Sequence, residues 1–267
     1  MKIIILILLF TSIVACGDGR ADRVLDFYKD TDCYELAKAV YYGDVDEIEE
    51  IVTSDTTLLS CSESTSGTTI LTLAILAEQM GSLKKLLELG TNPNSINTLN
   101  KYSVLIESIT FYGSQFEWKE HIEFTELLLK YGADPNYKVD TSFTNKKGYN
   151  VYYESPMLKA VSMNLDYVKL LLKYGADYKQ KVNDNPIFYY SVLGGSIDII
   201  NYFVDSLNVD LFQVLDIYGE DTLYIQDCIH KFMDYKEGSK SDLKKIELIK
   251  KLENKGVNFK DHNYKLK

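Results

Sequence analysis

Side chains that carry chemistry are scarce in this chain, and those present are badly spaced. Its three histidines, His121, His230 and His262, lie far apart in 267 residues, without the short spacings that bring two imidazoles to one metal. They read as surface or partly buried side chains. No Gly-rich phosphate loop, Gly-x-Ser-x-Gly elbow or Cys-x-x-Cys pair occurs, so the local signatures of nucleotide binding, hydrolase nucleophiles and thiol exchange are missing. No cofactor or metal is implied, and catalysis is not expected. Basic charge is short too: 29 lysines and arginines stand against 39 acids, for a net charge of −10. A general nucleic-acid binder needs a basic face, which most of the chain does not offer. No apolar run reaches the ~20 residues that a membrane-spanning helix requires.

The run that comes nearest is at the N-terminus, where Lys2 precedes Ile3 to Phe10 and then Thr11-Ser12-Ile13-Val14-Ala15-Cys16. A positive start, a short apolar core and a small residue before the cut describe a secretory signal peptide over residues 1–15. Its last four residues, ending in Ala15-Cys16, resemble a bacterial lipobox. That resemblance implies lipid on Cys16 as the first mature residue, anchoring the chain to an envelope membrane and facing the periplasm. Several acyl chains, at about 0.8 kcal/mol per buried methylene, would hold it firmly. A plain signal peptide that contains a cysteine is the alternative. Gly17 is compatible with onward transport to the outer membrane, so either membrane remains open. Residues 16–30 read as a tether, flexible from Gly17 to Asp22, and residues 31–267 as one domain.

Charge is unevenly spread. Asp30, Asp32, Glu35, Asp44, Asp46, Glu47, Glu49, Glu50, Asp55 and Glu63 face a single base, Lys38, whereas lysine dominates from Lys236 to Lys267. Both ends read as solvated faces, although opposite charge at two ends of a surface also orients a partner.

Repeats dominate the body of the chain. Leu86, Leu128, Leu171 and Leu252 each stand four residues before a glycine: Gly90, Gly132, Gly175 and Gly256. Apolar residues at three- and four-residue spacing followed by Gly describe an amphipathic helix closed by a left-handed cap. Asn208 fits the same slot after Ile199 to Val204. A second element precedes each of these, starting at Thr69, Ser103, Ser155, Asn185 and Asp221, side chains able to cap a helix. Pro156 and Pro186 follow two of them at the expected first helical position.

These starts, such as Ser155-Pro156-Met157-Leu158-Lys159-Ala160, resemble the Thr-Pro-Leu-His-x-Ala signature of ankyrin repeats, whose period is ~33 residues. Gly132-Ala133-Asp134-Pro135-Asn136 and Gly175-Ala176-Asp177 continue the likeness. A degenerate first unit runs from Leu36 through Gly43 to Val52. The resemblance implies an all-α repeat solenoid of about six helix-turn-helix units with finger loops. The intervals between starts, 34, 52, 30 and 36 residues, give the third unit the extra length, at Phe111 to His121 and Tyr137 to Asn150. A polar insertion near Lys236 to Ser241 and a lysine-rich last helix suit a solvent-facing end cap.

With Cys16 lipidated, Cys33, Cys61 and Cys228 remain. In an oxidising compartment Cys33 and Cys61, which flank the first repeat, either form a bridge closing that end of the stack or stay as two thiols. Cys228 reads as a small buried apolar residue. Tyrosine is abundant, with 21 residues, and such rings dominate binding hot spots. Tyr131 and Tyr174 end equivalent helices and are assigned to packing. Partner-binding candidates are Tyr112, Phe116 and Trp118 in the first insertion, Phe143, Tyr149, Tyr152 and Tyr153 around the long finger, and Tyr189, Tyr190 and Tyr218 beyond it. An extended concave surface of this kind implies a protein partner. Exported ankyrin lipoproteins resemble immunity proteins that neutralise toxic effectors, lipases among them; a periplasmic adaptor holding a resident protein is the other reading.

Overall fold

The structure, a computed structural model, describes residues 20–110, 121–139, 154–182, 184–218 and 221–260; of Arg20 and Tyr218 only the backbone is described. The expected signal peptide, Cys16, and the aromatic candidates Tyr112, Phe116, Trp118, Phe143, Tyr149, Tyr152 and Tyr153 lie outside these residues.

Six helix pairs follow one another along the chain: α2 (Tyr34–Tyr42) with α3 (Val45–Ser54), α4 (Ile70–Leu76) with α5 (Met80–Glu88), α6 (Val104–Thr110) with α7 (Ile122–Lys130), α8 (Pro156–Met163) with α9 (Leu165–Lys173), α10 (Ile187–Leu193) with α11 (Ile197–Asp205), and α12 (Ile225–Phe232) with α13 (Lys240–Asn254). A helix α1 (Arg20–Tyr28) precedes them. Short first helices start where a hydroxyl satisfies an orphan amide: Thr69 accepts from Thr72 N, and Ser155 from Leu158 N with Pro156 in the first turn. Ser103 Oγ accepts from Ile106 N at 3.3 Å. Each such cap stabilises its helix by about 1 kcal/mol.

Second helices end as the leucine-to-glycine spacing requires. Gly132 takes φ 92°, its amide bonds to Leu129 O, and Ala133 N reaches Leu128 O at 3.0 Å. Gly90, Gly175 and Gly256 close α5, α9 and α13 in the same way. Asn208 is also left-handed, at φ 50°, but Val209 N bonds six residues back to Phe203 O, so α11 closes with one residue more.

First helices pack on one another in an inner row, α2 on α4, α4 on α6, and so on to α12, while second helices form an outer row. One continuous core runs from Val24 to Val257 between the rows. A single helix pair could not bury this much apolar surface alone, which is why stacking holds the fold together. Lysines of one outer helix reach acids of the one before it: Lys85 to Glu49 at 2.8 Å, Lys173 to Glu126 at 3.1 Å, Lys251 to Asp205 at 2.7 Å. These pairs are exposed and contribute about 0–1 kcal/mol each. Loop asparagines add neutral rungs. Asn94 bonds Gly132 O and Asp134 N, and Asn136 repeats the pattern on Gly175 O and Asp177 N.

Several expectations need correction. The tether expected over residues 16–30 is contradicted from Arg20 on, because Arg20–Tyr28 is helical and Val24, Leu25 and Tyr28 are buried. Asn185-Pro186 does not open a helix. It forms strand β2, paired with β1 (Lys181–Val182), and α10 begins at Ile187 with Pro186 as its cap residue. Asp221 likewise belongs to β4 (Asp221–Leu223), paired with β3 (Asp216–Tyr218), and α12 starts after Tyr224, whose amide is bonded by buried Asp227. Tyr131 is 38% exposed, not packed in the stack. Nor is Glu63 a solvated acid: it is 1% exposed and accepts from Thr65 N, Ser66 N and Thr68 N, shaping the first finger.

Cys33 and Cys61 are joined by a disulfide across 28 residues of sequence, with Cα atoms 6.0 Å apart. It ties the start of α2 to the end of the short 3-10 turn Thr56–Ser60 that follows α3. A loop of this length contributes about 3.5 kcal/mol in the chain-entropy account.

Candidate interaction surface

Among the described residues the first helices form one inner row, and α1 lies against its start. This helix packs on α2 and α4. Tyr28, with no exposed surface, donates its hydroxyl to Thr68 O in the first finger at 2.8 Å. Asp22 accepts from Tyr41 of α2. Burial and the nearby Glu63 and Glu107 charges push the Tyr28 phenol far above its ordinary pKa, so it stays a donor.

Beyond α1 a cavity of about 400 Å³ opens between α1, α4, α6 and the first two fingers. Val24, Phe27, Ile75 and Leu76 give it apolar walls, and Thr72, Asn97 and Glu107 line it with polar atoms. Glu107 accepts from Thr72 Oγ1 at 2.5 Å and from Asn97 Nδ2 at 3.0 Å. Desolvation raises the carboxyl above the usual carboxylate range, against the lowering effect of bonds from Thr72, Asn97 and Asn100. Asn97 is itself fixed: its oxygen accepts from Leu99 N and Asn100 N. The first finger approaches closely enough that a Cβ on Gly67, at φ 76°, would lie 2.5 Å from Asn97 Oδ1. Only glycine suits that position.

Among the described residues no group of His, Cys, Asp and Glu is arranged to hold a metal ion, and no helix is long and apolar enough to cross a membrane. Cys228 is buried and free of any disulfide; burial first, and the Asp227 and Asp216 charges second, push its thiol up to about 12.

Two aromatic candidates are misplaced. Tyr189 is 7% exposed; its hydroxyl donates to Asp216 Oδ2 at 2.9 Å and its ring meets Tyr190 and Phe232 edge-on. Tyr190 is half-buried and donates to Val182 O at 2.8 Å. Both rings fasten α10 to its neighbouring fingers and are not exposed anchors. Tyr218 belongs to β3, and its side chain is outside the description. Among the described finger residues the exposed large apolar groups are Phe212 at 63%, Val214 at 42% and Ile217 at 68% between α11 and α12, with Ile96 at 39% in the second finger; Tyr42 and Leu243 are exposed on the helices. A signal for the finger between α11 and α12 exists in the sequence: Gly219 between two short runs rich in β-branched and aromatic residues, Val214 to Tyr218 and Thr222 to Ile225, is a hairpin pattern.

No protein-family model matches the chain, and no curated protein matches it. Among solved structures it is similar to the human ASB11 ankyrin repeat domain, with 14% identity over 85% of this chain and 86% of that one, at a TM-score of 0.56. The fold is that of an ankyrin-repeat domain. At this identity the likeness concerns architecture alone. Within the ankyrin-repeat stack the cavity sits between inner helices and fingers of the second and third repeats, where α1 ends its cover.

Proposed function

We propose that this chain is a non-catalytic, lipid-anchored protein-binding module of the bacterial envelope that neutralises a toxic effector, such as a lipase, in the periplasm. The observation that carries the binding reading is the uninterrupted inner row of six repeats with exposed apolar finger residues, Phe212, Val214 and Ile217. Fingers and inner helices of such stacks form extended concave binding surfaces. Export is supported by the Cys33–Cys61 disulfide, because such bonds persist in oxidising compartments. The anchor rests on the lipobox-like Ala15-Cys16. Only three residues separate Cys16 from Arg20, so a lipid there would hold the start of α1 within about 14 Å of the anchored residue. The immunity part rests on the likeness to exported ankyrin lipoproteins.

The test is to express the product of the neighbouring gene in the periplasm of cells with and without this protein. A stable complex and restored growth support the reading. If the neighbour is a harmless resident protein that binds, the chain is an adaptor; if no complex forms and sensitivity is unchanged, the immunity reading falls. The Cys16→Ser variant should fold but leave the membrane fraction, and its persistence there after correct export would remove the anchor.

A further inference from the structure

We propose that the cavity between α1 and the inner helices of the second and third repeats receives a lysine or arginine side chain of the protein partner, with Glu107 as its counter-charge. The proposal rests on the protein-binding reading above and names the chemistry at one point of that surface. Val24, Phe27, Ile75 and Leu76 form an apolar sleeve, and the carboxylate below it has only neutral donors, Thr72, Asn97 and Asn100. Among the described residues no lysine or arginine pairs with Glu107. An apolar sleeve ending in a carboxylate matches a long aliphatic stem ending in a cation: the stem covers the walls while the head meets the acid. A neutral polar head would meet the acid through a hydrogen bond alone, whereas a cation adds the attraction of opposite charges, which is larger in a partly desolvated site than in water.

Local charge favours the same occupant. Among the described residues Arg23 of α1 is the one base on the cavity wall. Glu63 of the first finger lies close enough, like Glu107, to act on the Tyr28 phenol. Lys159 of α8 is already engaged, 3.0 Å from Glu154 and over the Tyr102 ring. Among the described residues the titratable groups around Glu107 are Arg23 on the cavity wall, which makes no ion pair with it, and Tyr28 and Tyr102, on which its charge acts. Because burial holds the Glu107 carboxyl above its usual range, a cation that favours the ionised form should bind more tightly as pH rises through that raised value, then level off above it.

The test uses two arms on the whole exported domain. In the first, n-butylguanidinium is titrated in, with the Ile75 methyl and Asn97 side-chain amide followed by NMR, beside pentan-1-ol as a neutral control. Millimolar binding is expected at these two signals, at least tenfold weaker for Glu107→Gln and about threefold weaker for Phe27→Ala, which opens an exposed wall without touching the acid. Thermal melts of both variants establish that they are folded. No shift at either signal, equal binding of the alcohol, or unchanged affinity in both variants overturns the proposal. In the second arm, Glu107→Gln is measured against a protein shown to bind the native chain, with a loss of at least tenfold expected. A partner that binds the variant unchanged overturns the cavity's assignment while leaving the protein-binding function standing. Cation binding with no protein partner found for the native chain sinks the function and keeps the cationic site.

Discussion

If α1 is an integral part of the fold and not a tether, Tyr28 is where that should be measurable. Its side chain has no exposed surface and its hydroxyl donates to Thr68 O at 2.8 Å. Tyr28→Phe removes the donor and leaves a buried carbonyl short of a partner, a loss of about 1–2 kcal/mol. Tyr28→Ala also removes the ring, and large-to-small aromatic changes in cores cost about 3–5 kcal/mol. A repeat stack contacts only its neighbours, so the penalty should appear as local undocking of α1 and not as global unfolding. About 3 kcal/mol corresponds to ~100-fold in the population of the undocked state. Amide hydrogen exchange read by mass spectrometry should therefore accelerate by that order in α1 and the facing parts of α2 and α4 in Tyr28→Ala, and roughly tenfold in Tyr28→Phe. Exchange in α10 to α13 should not change. Unaltered protection of α1, or equal loss along the whole chain, would refute the assignment of this helix to the inner face.

Reducing the Cys33–Cys61 bond should lower stability by about 3.5 kcal/mol, with the first repeat opening first; mass spectrometry of protein isolated without reductant should count these two thiols as oxidised and Cys228 as free, and three free thiols would contradict this. Tyr189→Ala should cost about 3–5 kcal/mol in a thermal or urea melt, since the ring is buried and Asp216 loses its phenol donor, and a full-stability variant would show the ring is not core. Ile217→Ala and Phe212→Ala should leave the melt within about 0.5 kcal/mol of the parent while weakening a bound partner at least tenfold; unchanged affinity in both would move the interface off this finger. Gly67→Ala should destabilise the first two fingers by at least about 1 kcal/mol, read as faster exchange at Leu99 and Asn100, because the new Cβ meets both a positive φ and Asn97 Oδ1.

What could be read from the sequence was whatever local chemistry decides. Leu128 and Gly132 lie within one helical turn, so their closing bonds belong to one short segment, and the same holds for Thr69 and Ser155 as caps. Asn185 and Asp221 open strands and not helices for a related reason: a short polar side chain before an apolar run serves a strand edge as well as a helix start. Their true role depends on pairing with Lys181–Val182 and Asp216–Tyr218. The polar stretch Gly17 to Asp22 masked α1, although Val24, Leu25 and Tyr28 carry helical spacing. Tyr189 has the side-chain chemistry of a contact residue, and only its bond to an aspartate 27 residues on reveals it as core. Glu107 could not be singled out at all, since Thr72 comes from the preceding repeat, 35 residues away.

These placements also change how charge can act on a partner. The lysine-rich end is less free than its composition implies: Lys244 meets Asp198 and Lys251 meets Asp205 on α11, while Lys245 donates to Met233 O. Part of that positive charge is paired within the stack. At the other end α1 covers the inner helices α2 and α4, so among the described residues the uncovered inner face begins near the third repeat, beside the cavity holding Glu107. With a chain charge of −10 and a counter-charge open at that boundary, the electrostatic match is to a basic patch on the partner. Such steering speeds encounter more than it tightens the final complex. Raising ionic strength should then slow association while leaving dissociation, set by the apolar finger contacts and the buried cation, nearly unchanged.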